Sequence, residues 1–189
     1  MISLKNVSFS YGEHPILTDF DLTVKDGHCV CLSGASGCGK TTVLKLILGL
    51  LKPSGGTVSG TNRPSVVFQE DRLLLRFSLK KNVLLPLPKE RHEKAIELLT
   101  EAGLGEALNK RVNALSGGMK RRAAIVRAVA FGGDALILDE PFNGIDSENK
   151  RIMAEMIKRE FLMQGKSVLL VSHILSDAEL LNAETVYLK

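Results

Sequence analysis

The sequence predicts an α/β fold with a mainly parallel core sheet, an N-terminal antiparallel layer and a helical insertion. The parallel sheet is predicted by short, wholly apolar runs that alternate with helical segments, such as "ALILD" at 135–139 before a helix over Ser147–Met163. The antiparallel layer is predicted by alternating apolar and polar residues in Ile2–Tyr11 and Ile16–Val24, on either side of "YGEHP". The insertion is predicted because residues 70–115 contain no strong strand pattern.

The first core strand is predicted at "HCVCLSG", a short apolar run that ends in glycine. A helix should follow over Lys40–Leu51, where apolar residues recur with helical spacing. The stretch "PSGGTVSG" is predicted to be a turn-rich hairpin region, and "SVVFQ" another buried strand. Cys29 and Cys31 lie at strand spacing on one face, so we expect them to pack in the core. Three cysteines do not suggest a disulfide framework.

The helical insertion is predicted over about 70–130. It contains an amphipathic segment, Glu90–Ala102, and the start of a long helix after Ser116. The strand "SVLLVSH", a short helix at Ser176–Leu181 and a last strand "ETVYLK" complete the pattern. We therefore expect a single domain over residues 1–189, with a short C-terminus.

Composition excludes several classes of protein. The net charge is +4, and the excess is local, because residues 70–122 hold 12 Lys and Arg against 7 Asp and Glu. A solvated helical surface is the expected explanation, since aromatic residues are only 5% and Trp is absent, which argues against nucleic-acid binding. Met1 runs directly into a strand pattern and no segment is long enough to span a membrane, so we expect a cytosolic chain.

The stretch "GASGCGKTT" fits the phosphate-binding pattern G-x-x-x-x-G-K-[ST], between a predicted strand and a predicted helix. Glycines allow successive backbone N–H groups to converge on phosphate oxygens. Lys40 can reach the β- and γ-phosphate oxygens, and the Thr41 hydroxyl can bind Mg²⁺. The expected binding residues are Gly34, Ala35, Ser36, Gly37, Cys38, Gly39, Lys40, Thr41 and Thr42.

Two acidic residues follow the predicted strand in "ALILDEP". Asp139 should lie at the carboxyl edge of a parallel sheet, beside the phosphate loop, and we expect it to hold Mg²⁺ through water. Glu140 comes next and could accept a proton from attacking water. Considered alone, Glu140 would be interpreted as a surface acid. Its place directly after Asp139 favours a role as the general base.

A second glycine-containing helix start lies in "NALSGGMKRRAAIVRA". Ser116 can cap it, yet Lys120, Arg121 and Arg122 crowd its first turns, where the helix dipole favours acids. An anion that is bound for part of the time would explain this charge. One nucleotide in the first loop does not need a second site. Two chains that face head to tail could use it, if each offers Ser116, Gly117 and Gly118 to the γ-phosphate held by the other.

Taken together, these motifs resemble the ATP-binding cassette (ABC) ATPase domain, the motor subunit of ABC transporters, and imply a P-loop NTPase fold. "GASGCGKTT" is similar to the Walker A loop, "ALILDEP" to Walker B with its glutamate, and "LSGGMKRR" to the family signature. The resemblance implies that Gln69 is the Q-loop glutamine and contacts Mg²⁺. It also implies that residues 143–146 form the D-loop, which includes Asp146, and that His173 contacts the γ-phosphate. Tyr11 would stack on adenine, with Phe9 as the alternative.

The chain departs from the family pattern at three places. Met119 stands where Gln is commoner in the signature, and Asn143 stands where Ser is usual in the D-loop. Neither change removes a phosphate ligand, so we expect at most altered coupling. The chain also stops soon after His173, which puts a C-terminal regulatory or dimer-stabilising region in doubt.

The resemblance implies an ATPase that uses ATP and Mg²⁺ and powers transport by head-to-tail dimerisation with itself or a paired ATPase subunit. It also implies integral-membrane permease subunits, a substrate-binding protein and a peripheral location at the cytoplasmic face of the membrane. "FQED" and "LSGGMKRR" are similar to the nitrate, sulfonate and taurine importer branch. The apolar segment Glu70–Leu87 is expected to dock the permease, unless it is a helix buried in its own domain.

Other classes fit less well. A soluble ABC protein of DNA repair would carry a long coiled coil between the Walker motifs, and one of translation usually carries two cassettes. A small P-loop kinase would leave Leu115–Arg122 without a purpose.

Overall fold

The computed structural model describes residues 1–188 and contains two sheets with six α-helices in that range. The strands are β1 Ile2–Tyr11, β2 His14–Val24, β3 Cys29–Ser33, β4 Gly55–Ser59, β5 Ser65–Val67, β6 Ala135–Asp139, β7 Ser167–Val171 and β8 Glu184–Tyr187. The helices are α1 Lys40–Ile47, α2 Leu79–Leu84, α3 His92–Glu101, α4 Gly117–Phe131, α5 Ser147–Glu160 and α6 Leu175–Leu180.

The core sheet is parallel, with strand order β5-β6-β7-β3-β8. Every residue of β3, β6 and β7 is buried, as expected for parallel strands that helices cover on both faces. Asp139 pairs with Val171, and Val171 pairs with Leu32. The carboxyl ends of these three strands therefore meet at one edge, where the chain segments that follow them come together.

The two faces of this sheet belong to different hydrophobic clusters because successive strand residues point to opposite sides. Val30 and Leu32 pack with the antiparallel sheet and α1, whereas Cys29 and Cys31 pack with the helices of the other face. The predicted core position of both cysteines is confirmed. Burial raises the pKa of the Cys29 thiol to about 12 and also raises that of Cys31.

The second sheet is antiparallel, with order β2-β1-β4, and confirms the predicted N-terminal hairpin. The prediction for "PSGGTVSG" was wrong in one respect. This stretch does not form a hairpin of its own, because β4 pairs with the distant strand β1 through contacts such as Ser3 with Ser59. The glycines in this stretch suggested a turn between two strands. Instead the stretch forms a single strand, β4, which pairs with β1 at the edge of the antiparallel sheet.

Between β5 and β6 the chain forms α2, α3 and α4, and no described residue there belongs to a named strand. The buried Ala-rich face of α4 packs against both shorter helices. Elsewhere the predicted ends differ by a few residues: α5 ends at Glu160 before a separate turn over Leu162–Gln164. Within residues 1–188, no helix has the length and apolar character needed to cross a membrane.

Candidate functional site

The glycine-rich loop 34–39 connects β3 to α1 at the carboxyl edge of the parallel sheet. Gly39 caps α1 with a φ of 107°, a left-handed conformation that favours glycine. A Cβ at Gly39 would lie 2.7 Å from Cγ2 of Ile16, and one at Gly34 would lie 2.5 Å from the carbonyl oxygen of Leu188. β2 and Leu188, the residue directly after β8, therefore restrict the path of this loop and exclude side chains at both glycines.

Lys40 is the first residue of α1, and its ammonium group lies over the loop. Nζ donates to the carbonyl oxygens of Gly34 and Ala35, each at 2.8 Å. The first turn of α1 has no acidic residue, so its positive dipole end is not neutralised by a side chain there. The loop thus combines a helix N-terminus with a fixed cation, which is the arrangement that binds phosphate.

A cavity of about 250 Å³ joins the loop to the ends of the neighbouring strands. It is lined by Ser36, Gly37, Gly39, Lys40, Thr41, Thr42, Gln69, Asp139, Glu140 and Val171. Most of the residues predicted for the nucleotide site thus share one cavity. The lining does not include Gly34, Ala35, Cys38, Tyr11, His173, Asp146 or the signature residues Ser116, Gly117 and Gly118.

Asp139 ends β6, and its side chain is buried. Burial raises the pKa of its carboxyl group, the neighbouring charge of Glu140 raises it further, and the cations Arg121 and Lys40 oppose both effects. A buried carboxylate beside a second one is a favourable place for a cation. Thr41 and Gln69 add neutral side-chain oxygens to the same cavity.

These oxygen donors are the ligand chemistry of Mg²⁺, which usually takes one or two carboxylates, with water and substrate phosphate completing its shell. Across residues 1–188, no group of three or more His, Cys, Asp and Glu side chains could hold a metal ion by itself. The site fits a metal that arrives with phosphate and does not resemble a closed protein cage.

Glu140 directly follows β6 and has a left-handed backbone with a φ of 47°. Its N–H donates to the carbonyl oxygen of Val171 at 2.8 Å, so its backbone is tied to the end of β7. Its carboxylate has two partners: Oε1 lies 3.1 Å from Nδ1 of His173, and Oε2 accepts from Nδ2 of Asn143 at 2.7 Å. A strained backbone with both carboxylate oxygens engaged is typical of a functional position.

His173 is exposed, but the residue before it, Ser172, is buried and hydrogen-bonded. Ser172 donates its hydroxyl to Oδ2 of Asp177 at 3.0 Å, and Lys150 donates to Oδ1 at 3.0 Å. Asp177 is fully buried. This network attaches the chain around His173 to α5. Asp177 and Lys150 could not be identified from the sequence, because in "SDAEL" and "SENKR" they have the pattern of surface charges.

The signature residues lie outside the cavity, at the start of α4. Ser116 caps the helix as predicted, since its Oγ accepts from the N–H of Met119 at 3.2 Å. Ser116 and Gly117 are exposed. A Cβ at Gly118 would lie 3.0 Å from the carbonyl oxygen of Gly144, so the helix start touches the turn over 143–146.

Asp146 caps α5 at the end of this turn. Hydrogen bonds from the backbone and side chain of Asn149 hold the pKa of its carboxyl group below the usual value. Asp146 is exposed, two residues after Gly144, and does not line the cavity of its own chain.

The two arginines after the signature form hydrogen bonds within the subunit itself. Arg121 is buried and donates to the carbonyl oxygens of Phe68, Gln69, Asp139, Glu140 and Pro141, and to the Asp71 carboxylate at 3.1 Å. Arg122 donates to Ala102 and Asn149. Both arginines have partners within the protein, so their charge does not by itself indicate a bound anion, and the anion at this helix start stays a prediction. The expectation of a solvated surface was wrong for Arg121, which is buried. A buried guanidinium with five N–H donors can join several chain ends, which sequence spacing does not reveal.

Tyr11 ends β1 with 45% of its surface exposed and contacts Phe9 edge to face, with ring centroids 4.9 Å apart. Phe9 is buried in the antiparallel sheet, so the alternative candidate for adenine stacking is excluded. Tyr11 remains available on the surface.

Comparison with known proteins gives a consistent result. The profile of the ABC transporter family matches residues 17–143. The chain is 37% identical over 188 residues to the aliphatic sulfonates import ATP-binding protein SsuB 1 of Shouchella clausii, covering 98% of this chain and 76% of that protein. Its counterpart in Rhodococcus jostii is 36% identical, with 99% and 78% covered. The Nod factor export ATP-binding protein I of Rhizobium johnstonii is 37% identical, with 94% and 63% covered.

Solved structures agree with the sequence relatives. The ATP-binding subunit of an ABC transporter superposes with a TM-score of 0.90 at 27% identity, covering all of this chain and 85% of that one. The dimeric bacterial ABC transporter cassette MJ0796 superposes with a TM-score of 0.88 at 31% identity, covering all of this chain and 94% of that one. The same cassette is also known as a dimer in a post-hydrolysis state bound to ADP and Pi, with a TM-score of 0.86.

Proposed function

This chain belongs to the ABC transporter family, and we propose which of its residues bind ATP, hydrolyse it and couple it to transport. It is the ATP-binding, ATP-hydrolysing subunit of an ABC transporter, and such cassettes work as dimers. The observation that carries the residue assignment is the single cavity in which Lys40, Thr41, Gln69, Asp139 and Glu140 meet, with the signature residues outside it.

ATP binding is assigned to the loop 34–39 and the start of α1. The phosphates would accept hydrogen bonds from the backbone N–H groups at the helix start, where the dipole favours negative charge. Lys40 would exchange its two bonds to loop carbonyls for bonds to the β- and γ-phosphate oxygens, which are better partners because they are charged. Tyr11 is the exposed aromatic side chain assigned to the adenine ring.

Mg²⁺ would be held by Thr41, Gln69 and Asp139, with Asp139 acting through water. The ion neutralises charge on the phosphate oxygens when it is bound. Burial and the charge of Glu140 raise the pKa of Asp139, and a bound cation would favour the ionised form of its carboxyl group.

Glu140 is the proposed general base. It would accept a proton from the water whose oxygen bonds to the γ-phosphorus, while the bond from that phosphorus to the ADP oxygen breaks. His173 lies 3.1 Å from Glu140, so one side chain can contact the γ-phosphate while the other takes the proton. The buried Ser172–Asp177–Lys150 network keeps the chain around His173 in place.

The signature residues Ser116, Gly117 and Gly118 would act on the nucleotide of a second chain. Ser116 and Gly117 are exposed at the start of α4, outside their own cavity, which supports an action across a head-to-tail dimer. Asp146 would contribute from the adjoining turn. Residues 1–189 are proposed to form a single ABC ATPase domain with the helical insertion at about 70–130.

The segment Glu70–Leu87 is the proposed docking surface for an integral-membrane permease. Leu74, Leu75, Phe77 and Leu85 are exposed, whereas Leu79 and Val83 are fully buried in the core. The segment is therefore both anchored in its own domain and apolar on its outside, which a docking surface requires. We propose a peripheral position at the cytoplasmic face of the membrane.

The names of the SsuB relatives support an importer of aliphatic sulfonates, and we propose that such an importer also uses a substrate-binding protein. Co-purification with the permease, followed by cross-linking, tests the docking surface. Cross-links should start from residues 74–85, and cross-links found only elsewhere would refute this surface.

Substitution of the general base tests the mechanism. Glu140→Gln should lower ATP turnover by about 10²–10⁴-fold while ATP binding persists, because the amide keeps the shape of the side chain but accepts no proton. Glu148→Gln is the matched control, since Glu148 is exposed in the first turn of α5 and outside the cavity. Equal turnover in both variants would contradict the assignment of Glu140.

A further inference from the structure

Asn143 makes a contact that the proposed mechanism does not use. Its side-chain amide donates to Oε2 of Glu140 at 2.7 Å, on the opposite oxygen from the one near His173. Its backbone N–H lies 3.4 Å from the carbonyl oxygen of the same glutamate. Asn143 and Glu140 are three residues apart in one tight turn, so their side chains are adjacent wherever this turn forms.

The backbone of Glu140 is fixed but its side chain is not fixed by packing alone. The left-handed φ and the bond to Val171 hold the Cα atom, and 19% of the side chain is exposed at the rim of the cavity. A glutamate side chain has several rotatable bonds between that Cα atom and its carboxylate. The two partners of the carboxylate therefore determine its orientation.

These partners are not equivalent. His173 is 59% exposed, and the proposed mechanism assigns it to the γ-phosphate, which would draw it away from Glu140. Asn143 has no such second assignment. Its amide is neutral, donates without being able to take the proton, and leaves the other lone pairs of the carboxylate free.

We propose that Asn143 is a positioning residue for the general base. Its amide holds the Glu140 carboxylate in the orientation that receives the proton of the attacking water. The inference rests on the proposed role of Glu140, and it gives this turn a second task besides its contact with the signature helix.

Kinetics of three variants test this inference. Asn143→Ala removes the donor, and kcat should fall by about tenfold, the rate equivalent of one hydrogen bond. KM for ATP should stay within about twofold, because the phosphate loop is untouched. Asn143→Asp places a second carboxylate beside the first and should lower kcat further. Asn143→Gln keeps an amide donor and should restore part of the rate. A turn that was merely deformed would raise KM and would gain nothing from Gln.

A double-mutant cycle separates this inference from the assignment of the base. In the Glu140→Gln background, Asn143→Ala should cause no further loss in single-turnover hydrolysis, because the group that it positions has been removed. If Glu140→Gln is inactive and Asn143→Ala alone matches the wild type, only the positioning role fails. If Glu140→Gln hydrolyses ATP at the wild-type rate, the proposed base itself fails.

A direct measurement does not depend on turnover. In the ¹H–¹⁵N spectrum of the whole chain, the side-chain amide signal of Asn143 is the pair that disappears in Asn143→Ala. That pair should shift in Glu140→Ala, which has no acceptor. An unchanged signal would show that the hydrogen bond is absent in solution and would overturn the proposal.

Discussion

Two glycine-containing helix starts of this protein look alike in sequence and differ in structure. The first, at 34–40, has glycines in conformations that exclude side chains, and its cation lies over the loop. The second, at 116–118, has ordinary helical glycines, and its capping serine is bonded to its own helix. The first start lines a cavity shared with Asp139 and Glu140, whereas the second is exposed.

The first start shares a cavity with two acidic residues of its own chain, whereas the second lies outside that cavity and, in our proposal, acts on a second chain. The phosphate loop obtains its shape from strands that pack against Gly34 and Gly39. The signature start has little to hold it except its cap and the turn beside Gly118. Arg121 and Arg122 near it donate to oxygen atoms inside the subunit, so these two cations are already engaged within their own chain. Our proposal assigns this helix start to the γ-phosphate bound by another chain.

The largest expected effect comes from removing the cation of the first start. Lys40→Ala should abolish ATP hydrolysis, with a loss above about 10³-fold, because the transferred phosphate loses its fixed positive partner. Lys45→Ala, in the last turn of the same helix, is the control and should retain activity in the isolated chain. A steady-state phosphate-release assay measures both variants. Full activity in Lys40→Ala would show that the first start is not the catalytic one.

The second start is tested by dimer formation. In the Glu140→Gln background, ATP without Mg²⁺ should hold two chains together on size-exclusion chromatography, because the slowed chemical step no longer releases them. Ser116→Arg should prevent this dimer while the monomer still binds ATP, since the added cation is too large for the shared site.

Glu184→Arg is the control for added positive charge. Glu184 is exposed at the start of β8, which is the edge strand of the parallel sheet on the side opposite to β5. A Ser116→Arg variant that dimerises as readily as this control would mean that the signature does not face a partner's nucleotide. If no dimer of the Glu140→Gln variant is detected, the measurement is repeated with the permease present, because a weak dimer of the isolated chain escapes detection.

The free energy of unfolding tests whether Arg121, near the second helix start, has a structural role and not the role of an anion ligand. Arg121→Met should lower the free energy of unfolding by about 3–5 kcal/mol, because it leaves several buried carbonyl oxygens and Asp71 without their partner. Lys120→Met, one residue earlier and half-buried, should change it by less than about 0.5 kcal/mol. Urea denaturation monitored by circular dichroism compares the two variants, and equal midpoints would contradict the structural role of Arg121.

The smallest effect concerns Cys38 within the first start. This thiol is half-buried, 4.0 Å from Nζ of Lys40, whereas Cys29 and Cys31 are buried in the core. Bound ATP should slow alkylation of Cys38 by a maleimide and leave the two core cysteines unlabelled in both states. Mass spectrometry of the labelled peptides measures this protection. Equal labelling of Cys38 with and without ATP would place the nucleotide away from the loop.

The sequence alone determined the fold class, the order of its elements, the phosphate loop and the family. These properties depend on local patterns: a period of two for strands, 3.6 for helices, and glycines at fixed offsets around Lys40. The positions of Asp139 and Glu140 at the end of a strand, and of Ser116 as a helix cap, could also be predicted. Each of these residues stands at the end of a helix or strand that the sequence pattern indicates. Their roles in ATP hydrolysis stay predictions.

Only the tertiary structure decided what lies next to what. It paired β4 with β1, buried Arg121 among five carbonyl oxygens, placed Lys150 against Asp177, and put Asn143 on the carboxylate of Glu140. The sequence shows that a residue is charged or carries an amide, but it does not show whether water or protein surrounds that side chain. Their partners depend on which segments the packed sheet brings together, and in a folded chain these segments are often more than a hundred residues apart, as Cys31 and Ser172 are. Local patterns carry no information about such distances.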